Sequence, residues 1–160
     1  MIDRNGQIRI IGIGNPLMGD DGIGIAAIEQ LQQEQLPPNV ELIDGGCGGL
    51  NLLPLLAECQ QALIIDAADF GAPPGTIKIL NNADLDQIPP QPNRLSSHQP
   101  GLAEILFFSK KLRQLPKLNL IFMQAISVGS SSALSPQVMV YLPNLKQKIL
   151  DCLFQNPANP

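Results

Sequence analysis

Residues 7–36 read QIRIIGIGNPLMGDDGIGIAAIEQLQQEQL, and the change of rhythm inside this stretch decides the fold. QIRIIGI (7–13) is a short, β-branched apolar run, the pattern of a buried strand. GIGIAAIEQLQQEQL (22–36) places Ile25, Ile28, Leu31 and Leu36 near one face of a helix that Pro37 and Pro38 end. Between them, GNPLMGDDG (14–22) makes a glycine-bounded loop. Such a strand–loop–helix unit commonly seats a phosphate, because the N–H groups and dipole of a helix N-terminus favour an anion. Here the loop ends in Asp20 and Asp21, and Leu17 stands where the third glycine of G-x-G-x-x-G would be. Counted from Gly14, GDD replaces the GK[ST] of a P-loop. The loop has the backbone of an anion site and the side chains of a cation site, which puts a phosphorylated ligand second.

The same alternation continues outward. VELID (40–44) is a second strand, followed by GGCGG (45–49) and by LNLLPLLAECQ (50–60), helical if Pro54 lies in the first turn. ALIIDA (62–67) is the best parallel-strand candidate, apolar until its end. APPGTIKIL (72–80) gives a turn and a strand. The connection from Ala67 is too short for a helical crossover, which suggests that this strand runs antiparallel. A loop rich in Pro and Asn crosses 87–95. SSHQPGLAEILFFSKKL (96–112) places a Ser cap before a helix whose Leu102, Ile105, Leu106 and Leu112 repeat at helical spacing. KLNLIFMQAI (117–126) is the last strand. The final helix, 134–153, opens with Ser135 as N-cap and Pro136 at N1, and Pro143 is expected to kink or split it. The expectation is an α/β fold of three layers: a mostly parallel twisted sheet of about five strands with helices on both faces. Residues 1–154 are expected to form a single domain, and 155–160 a flexible tail.

Composition narrows the function classes. At 160 residues, 44% hydrophobic and 15% charged, the chain is that of a globular domain able to bury a core. A net charge of −4, with ten Lys and Arg and no basic run, argues against a nucleic-acid partner. No apolar stretch approaches the roughly 20 residues that span a bilayer. The first residues, MIDRNG, show no signal-peptide pattern, so a cytoplasmic location is expected. Cys47, Cys59 and Cys152 are odd in number and lack metal-type spacing.

Ligands of open parallel sheets bind beyond the carboxyl ends of the strands, and three polar residues fall there: Asp21, Asp66 and His98, the one histidine of the chain. Each has a structural reading as well. Asp20 and Asp21 suit the dipole of a helix start, Asp66 suits a loop's N–H groups, and His98 suits a helix cap. Together, two carboxylates and an imidazole on one rim form a mixed O/N set suited to zinc or nickel, or to acid–base work without metal. GGCGG allows close backbone approach to a ligand or serves as a tight turn. Cys47 lacks a nearby activating histidine, and the serines of SVGSSSALS (127–135) lack G-x-S-x-G.

IIGIGNPLMGDDGIG (10–24), ELIDGG (41–46), LIIDAADFGAPPGT (63–76), SSHQPGL (96–102) and LSPQV (134–138) together resemble, in order, the hydrogenase maturation endopeptidases. The resemblance covers nearly the whole chain. It implies removal of a C-terminal extension from the nickel-loaded large-subunit precursor of an [NiFe] hydrogenase. It also implies a catalytic and metal-contacting triad of Asp21, Asp66 and His98, with nickel transient and brought by the substrate rather than resident. Gly45, Gly46, Gly48 and Gly49 would then suit a groove for the extended peptide, and the protein is expected to act as a monomer. The family often carries a segment like GIQP after the last strand, where this chain reads FMQAIS (122–127), and the loop from Gly71 to Thr76 is short. Both departures bear on substrate choice. A nickel-holding module without catalysis, and a small enzyme acting on a phosphorylated ligand, are the alternatives.

Overall fold

A computed structural model describes residues 6–87 and 102–155. In chain order its elements are β1 (Ile8–Gly12), α1 (Ile23–Leu31), β2 (Val40–Asp44), α2 (Leu52–Ala57), β3 (Gln61–Ala68), β4 (Ile77–Asn81), α3 (Leu102–Lys111), β5 (Lys117–Gln124) and α4 (Pro136–Phe154). The strands form one sheet in the order β2-β1-β3-β5-β4. The first four run parallel, and β4 pairs antiparallel with β5, as the short connection after β3 requires.

Strand residues alternate between the two faces of a sheet, and here each face has its own core. Ile8, Ile10, Leu63, Ile65, Ala67, Ile121 and Met123 meet Ile23, Ala27, Ile28 and Leu31 of α1 and Val138, Leu142, Leu145, Ile149 and Leu153 of α4. Ile11, Ile13, Ala62, Ile64, Leu118 and Leu120 meet Leu52 and Leu56 of α2 and Leu102, Ile105 and Leu106 of α3. β3 is buried along seven of its eight residues, as the middle strand of a sheet covered on both faces must be. The three-layer α/β arrangement is therefore that expected.

Close packing of α1 on the sheet depends on two glycines. A methyl group on Gly24 would overlap the carbonyls of Ile13 and Ile65, and one on Gly12 would overlap the Gly24 carbonyl. The helix thus sits with its first turn against the ends of β1 and β3.

Some boundaries differ from the sequence reading. α1 stops at Leu31, five residues short of Leu36, although Leu36 still packs on the core as the chain turns toward β2. Gln32 to Leu36 are polar except at the last position, so no apolar face carries the helix on. Leu112 lies beyond α3 and is exposed. α4 runs unbroken through Pro143, which is on the solvent side where a lost backbone bond is compensated by water. Pro54 does lie in the first turn of α2. The Ser cap of the helix at 96–112 lies outside the described residues.

Candidate functional site

In the order β2-β1-β3, the connections leaving β1 and entering β3 run on opposite faces, so the C-terminal ends of β1 and β3 flank the switch point of the sheet, where open α/β folds bind ligands. Asp21 follows β1 and Asp66 lies two residues before the end of β3. The Ile13 N–H donates to the Ile65 carbonyl at 2.9 Å, which joins the two ends directly. Both carboxylates are buried, at 2% and 3% exposure. His98 lies outside the described residues. Among the described residues no three His, Cys, Asp or Glu side chains form a metal-binding group.

The loop of residues 14–22 closes in a 3-10 turn, Gly19–Gly22, that runs straight into α1. This turn sends the adjacent aspartates to different tasks. Asp20, fully buried, is a structural tie: Oδ2 accepts the N–H groups of Ile126 (2.9 Å) and Ser127 (3.0 Å) and the Ser135 hydroxyl (2.8 Å), and Oδ1 accepts the Ser135 N–H (2.6 Å). Burial pushes its pKa up, but the N–H groups of Ser135, Ser127 and Ile126 and the Ser135 hydroxyl outweigh this and hold it below the usual value. Ser135 therefore stands at the N-cap position of α4 but turns its hydroxyl to Asp20 rather than to its own helix. Further backbone bonds, Gly19 N–H to Ser131 O, Ser131 N–H to Leu17 O and Asp20 N–H to Ser127 O, stitch the two loops together.

Asp21 is oriented differently. Its Oδ2 accepts the Asn15 N–H at 2.9 Å, and the Asn15 side chain accepts the Leu17 N–H at 3.0 Å, so the loop folds around the carboxylate. Asp66 projects from the face that carries Ala62 and Ile64, the face covered by α2 and α3. α3 begins at Leu102, four residues after His98 in the chain.

The glycine loop after β2 is a series of turns. Gly46, Gly48 and Gly49 have φ of 55°, 76° and 75°, a left-handed backbone that glycine adopts without strain. The N–H groups of Gly45, Gly46 and Gly48 donate to Gly12 O, Asp44 Oδ1 and Gly45 O. Gly46 O in turn accepts the Gly14 N–H at 2.8 Å, which ties this loop to that of Asp21. A peptide cannot add here as a further strand through those three committed donors. Open space does lie over Gly46, where an added methyl would meet nothing within 4 Å.

Sequence reasoning missed two residues that shape the rim. One is Asn15, above. The other is Gln124, the last residue of β5, whose signal was a glutamine closing the apolar run Leu120–Met123 and which is only 5% exposed.

With this geometry in hand, comparison with known proteins is specific. A family model described as hydrogenase maturation protease matches residues 25–152. Over 154 residues the chain is 33% identical to the hydrogenase expression/formation protein HupD of Thiocapsa roseopersicina, covering 93% of this chain and 68% of that one. It is 32% identical over 150 residues to the hydrogenase 2 maturation protease of Escherichia coli K12, covering 92% and 90%. The solved structure of the hydrogenase maturating endopeptidase HybD from E. coli superposes with a TM-score of 0.83, covering 93% of each chain at 32% identity. The chain spans 53–61% of the length of four longer relatives.

Proposed function

This chain belongs to the hydrogenase maturation protease family and is an endopeptidase; from that premise we propose that its substrate is the nickel-loaded large-subunit precursor of an [NiFe] hydrogenase, cut to release a C-terminal extension. The observation that carries this reading is the pair of buried carboxylates, Asp21 and Asp66, on either side of the switch point of the sheet. Carboxylate oxygens are suited to bind a divalent cation, and here that cation would be delivered by the substrate. Asp20 cannot share the task, because N–H and O–H donors already hold both its oxygens. Asp21, Asp66 and His98 are assigned to contact the nickel of the precursor, and the rim then favours loaded over empty substrate. A metal so placed supplies polarisation of a carbonyl or of bound water. The chain's own residues supply orientation: the Asn15 N–H fixes the Asp21 carboxylate, and Asp20 fixes the loop that bears it.

Leu17 and Leu50 are 66% and 60% exposed on loops joined by the Gly14–Gly46 hydrogen bond. Exposed apolar side chains on these loops suit contact with a protein substrate. The glycines at 45, 46, 48 and 49 are assigned to the substrate side through the open space over Gly46. No helix of the described residues is long and apolar enough to cross a membrane; the cytoplasm and a monomeric state complete the proposed reading.

The test incubates the protein with precursor loaded with nickel and with precursor freed of it, and weighs the products by mass spectrometry. Trimming of the loaded form alone is expected. Precursor left whole in both, with nickel retained on the protein, would instead make this a metal-holding module.

A further inference from the structure

Ala68 of β3 lies beside Gln124 of β5, and Asp66 beside Phe122, so Gln124 stands one step further along the same face from which Asp66 projects. A long polar side chain is costly to bury unless all its groups are bonded. The Gln124 amide meets that demand. Its Oε1 accepts the N–H groups of Phe70 (2.9 Å) and Ala72 (3.2 Å), and its Nε2 donates to Asp69 Oδ1 (3.0 Å) and to the Ala125 carbonyl (2.9 Å). Two backbone N–H groups on one side and two pure acceptors on the other fix which end of the amide is oxygen. The Gln124 carbonyl also accepts the Gly75 N–H, and its N–H donates to Thr76 O.

The loop from Asp69 to Gly75 is thus wrapped around one side chain. It starts three residues after Asp66, and Asp69, Gly71, Pro73 and Pro74 are exposed, with open space over Gly71. The next two residues of the β5 exit, Ile126 and Ser127, donate their N–H groups to Asp20, and so the same short segment brackets the Asp21 loop.

Resting on the proposed function, we propose that Gln124 is a positioning residue: it shapes the loop 69–75 into the wall against which the C-terminal segment of the precursor lies, and so governs substrate affinity and choice of extension without touching the reacting atoms. Gln124→Glu keeps an acceptor for Phe70 and Ala72 but sets an oxygen against the Asp69 carboxylate and the Ala125 carbonyl. Asp69→Asn removes the charge and offers an N–H in its place. The experiment measures cleavage of nickel-loaded precursor by the wild type, Gln124→Glu and the Gln124→Glu/Asp69→Asn pair, with hydrogen exchange at the Phe70 and Ala72 amides. We expect Gln124→Glu to raise KM about tenfold with kcat within about twofold, to speed exchange at both amides, and to recover part of its KM in the double variant. A cutting wild type with a Gln124→Glu variant of unchanged KM overturns this inference alone, as does a fall in kcat at constant KM. A wild type that leaves every precursor whole overturns the proposed function and this inference with it. If Gln124→Glu unfolds, Gln124→Met, similar in length and without the amide, is expected to give the same rise in KM and the same faster exchange, without recovery by Asp69→Asn.

Discussion

Asp20 and Asp21 are neighbours in the chain, and nothing in the letters GDDG separates them. The 3-10 turn does, by sending one carboxylate to the N–H groups around α4 and the other to Asn15. Asp20→Asn turns an N–H toward donors that need an acceptor. It should cost about 2–3 kcal/mol, since bonds to a charged acceptor are each worth roughly 1.5–3 kcal/mol, and lower Tm by several degrees. Asp21→Asn keeps an oxygen for Asn15 and should melt close to the wild type. Acid reports the same difference. The Asp20 pKa is lowered on folding, so its contribution is fully present above the ordinary value of 3.8 and is lost as pH falls through that value toward the folded one. Thermal melts between pH 6 and pH 3 should therefore show the wild type losing more stability than Asp20→Asn. Equal losses would remove Asp20 as the tie.

At the scale of elements, periodicity made the fold legible. The apolar runs of β1, β2 and β3, the antiparallel turn into β4 and the Ser135-Pro136 start of α4 stand where the sequence puts them. What it could not show were contacts set by tertiary packing. The end of α1 is one such case, and the unbroken α4 is another: Pro143 faces solvent, and the helix is held on its other side by Leu142, Leu145 and Ile149. Pro143→Ala restores a backbone N–H without touching that core, and should stabilise by roughly 1–3 kcal/mol, read as a raised urea midpoint. The approach of α1 to the sheet is the opposite case. Gly24→Ala drives a methyl into the carbonyls of Ile13 and Ile65, so a loss of about 2–4 kcal/mol is expected, with a fall in activity because the first turn of α1 follows Asp21 directly. A Gly24→Ala variant as stable as the wild type would contradict the packing described.

For the whole molecule, the candidate site was legible as a set of residue types at strand ends but not as geometry. Asp21 and Asp66 could be named from the sequence because one follows the loop after a buried strand and the other lies near the end of one, where open parallel sheets bind ligands. The switch point between the ends of β1 and β3 depends on strand order, which no local pattern encodes. The sequence marked the segment 122–127 as bearing on substrate choice but not Gln124 within it, because a glutamine at the end of a strand has many uses, and only its four hydrogen bonds reveal this one. The account rests on Asp21 and Asp66 acting as a pair with His98 on a metal that the substrate delivers. The most direct test is single-turnover cleavage of nickel-loaded precursor by the wild type, Asp21→Asn, Asp66→Asn and His98→Ala, each first shown to melt near the wild type. The account predicts that each substitution slows cleavage by roughly 100-fold or more. Cleavage at the wild-type rate by folded Asp21→Asn and Asp66→Asn would contradict it and place the chemistry elsewhere on the molecule.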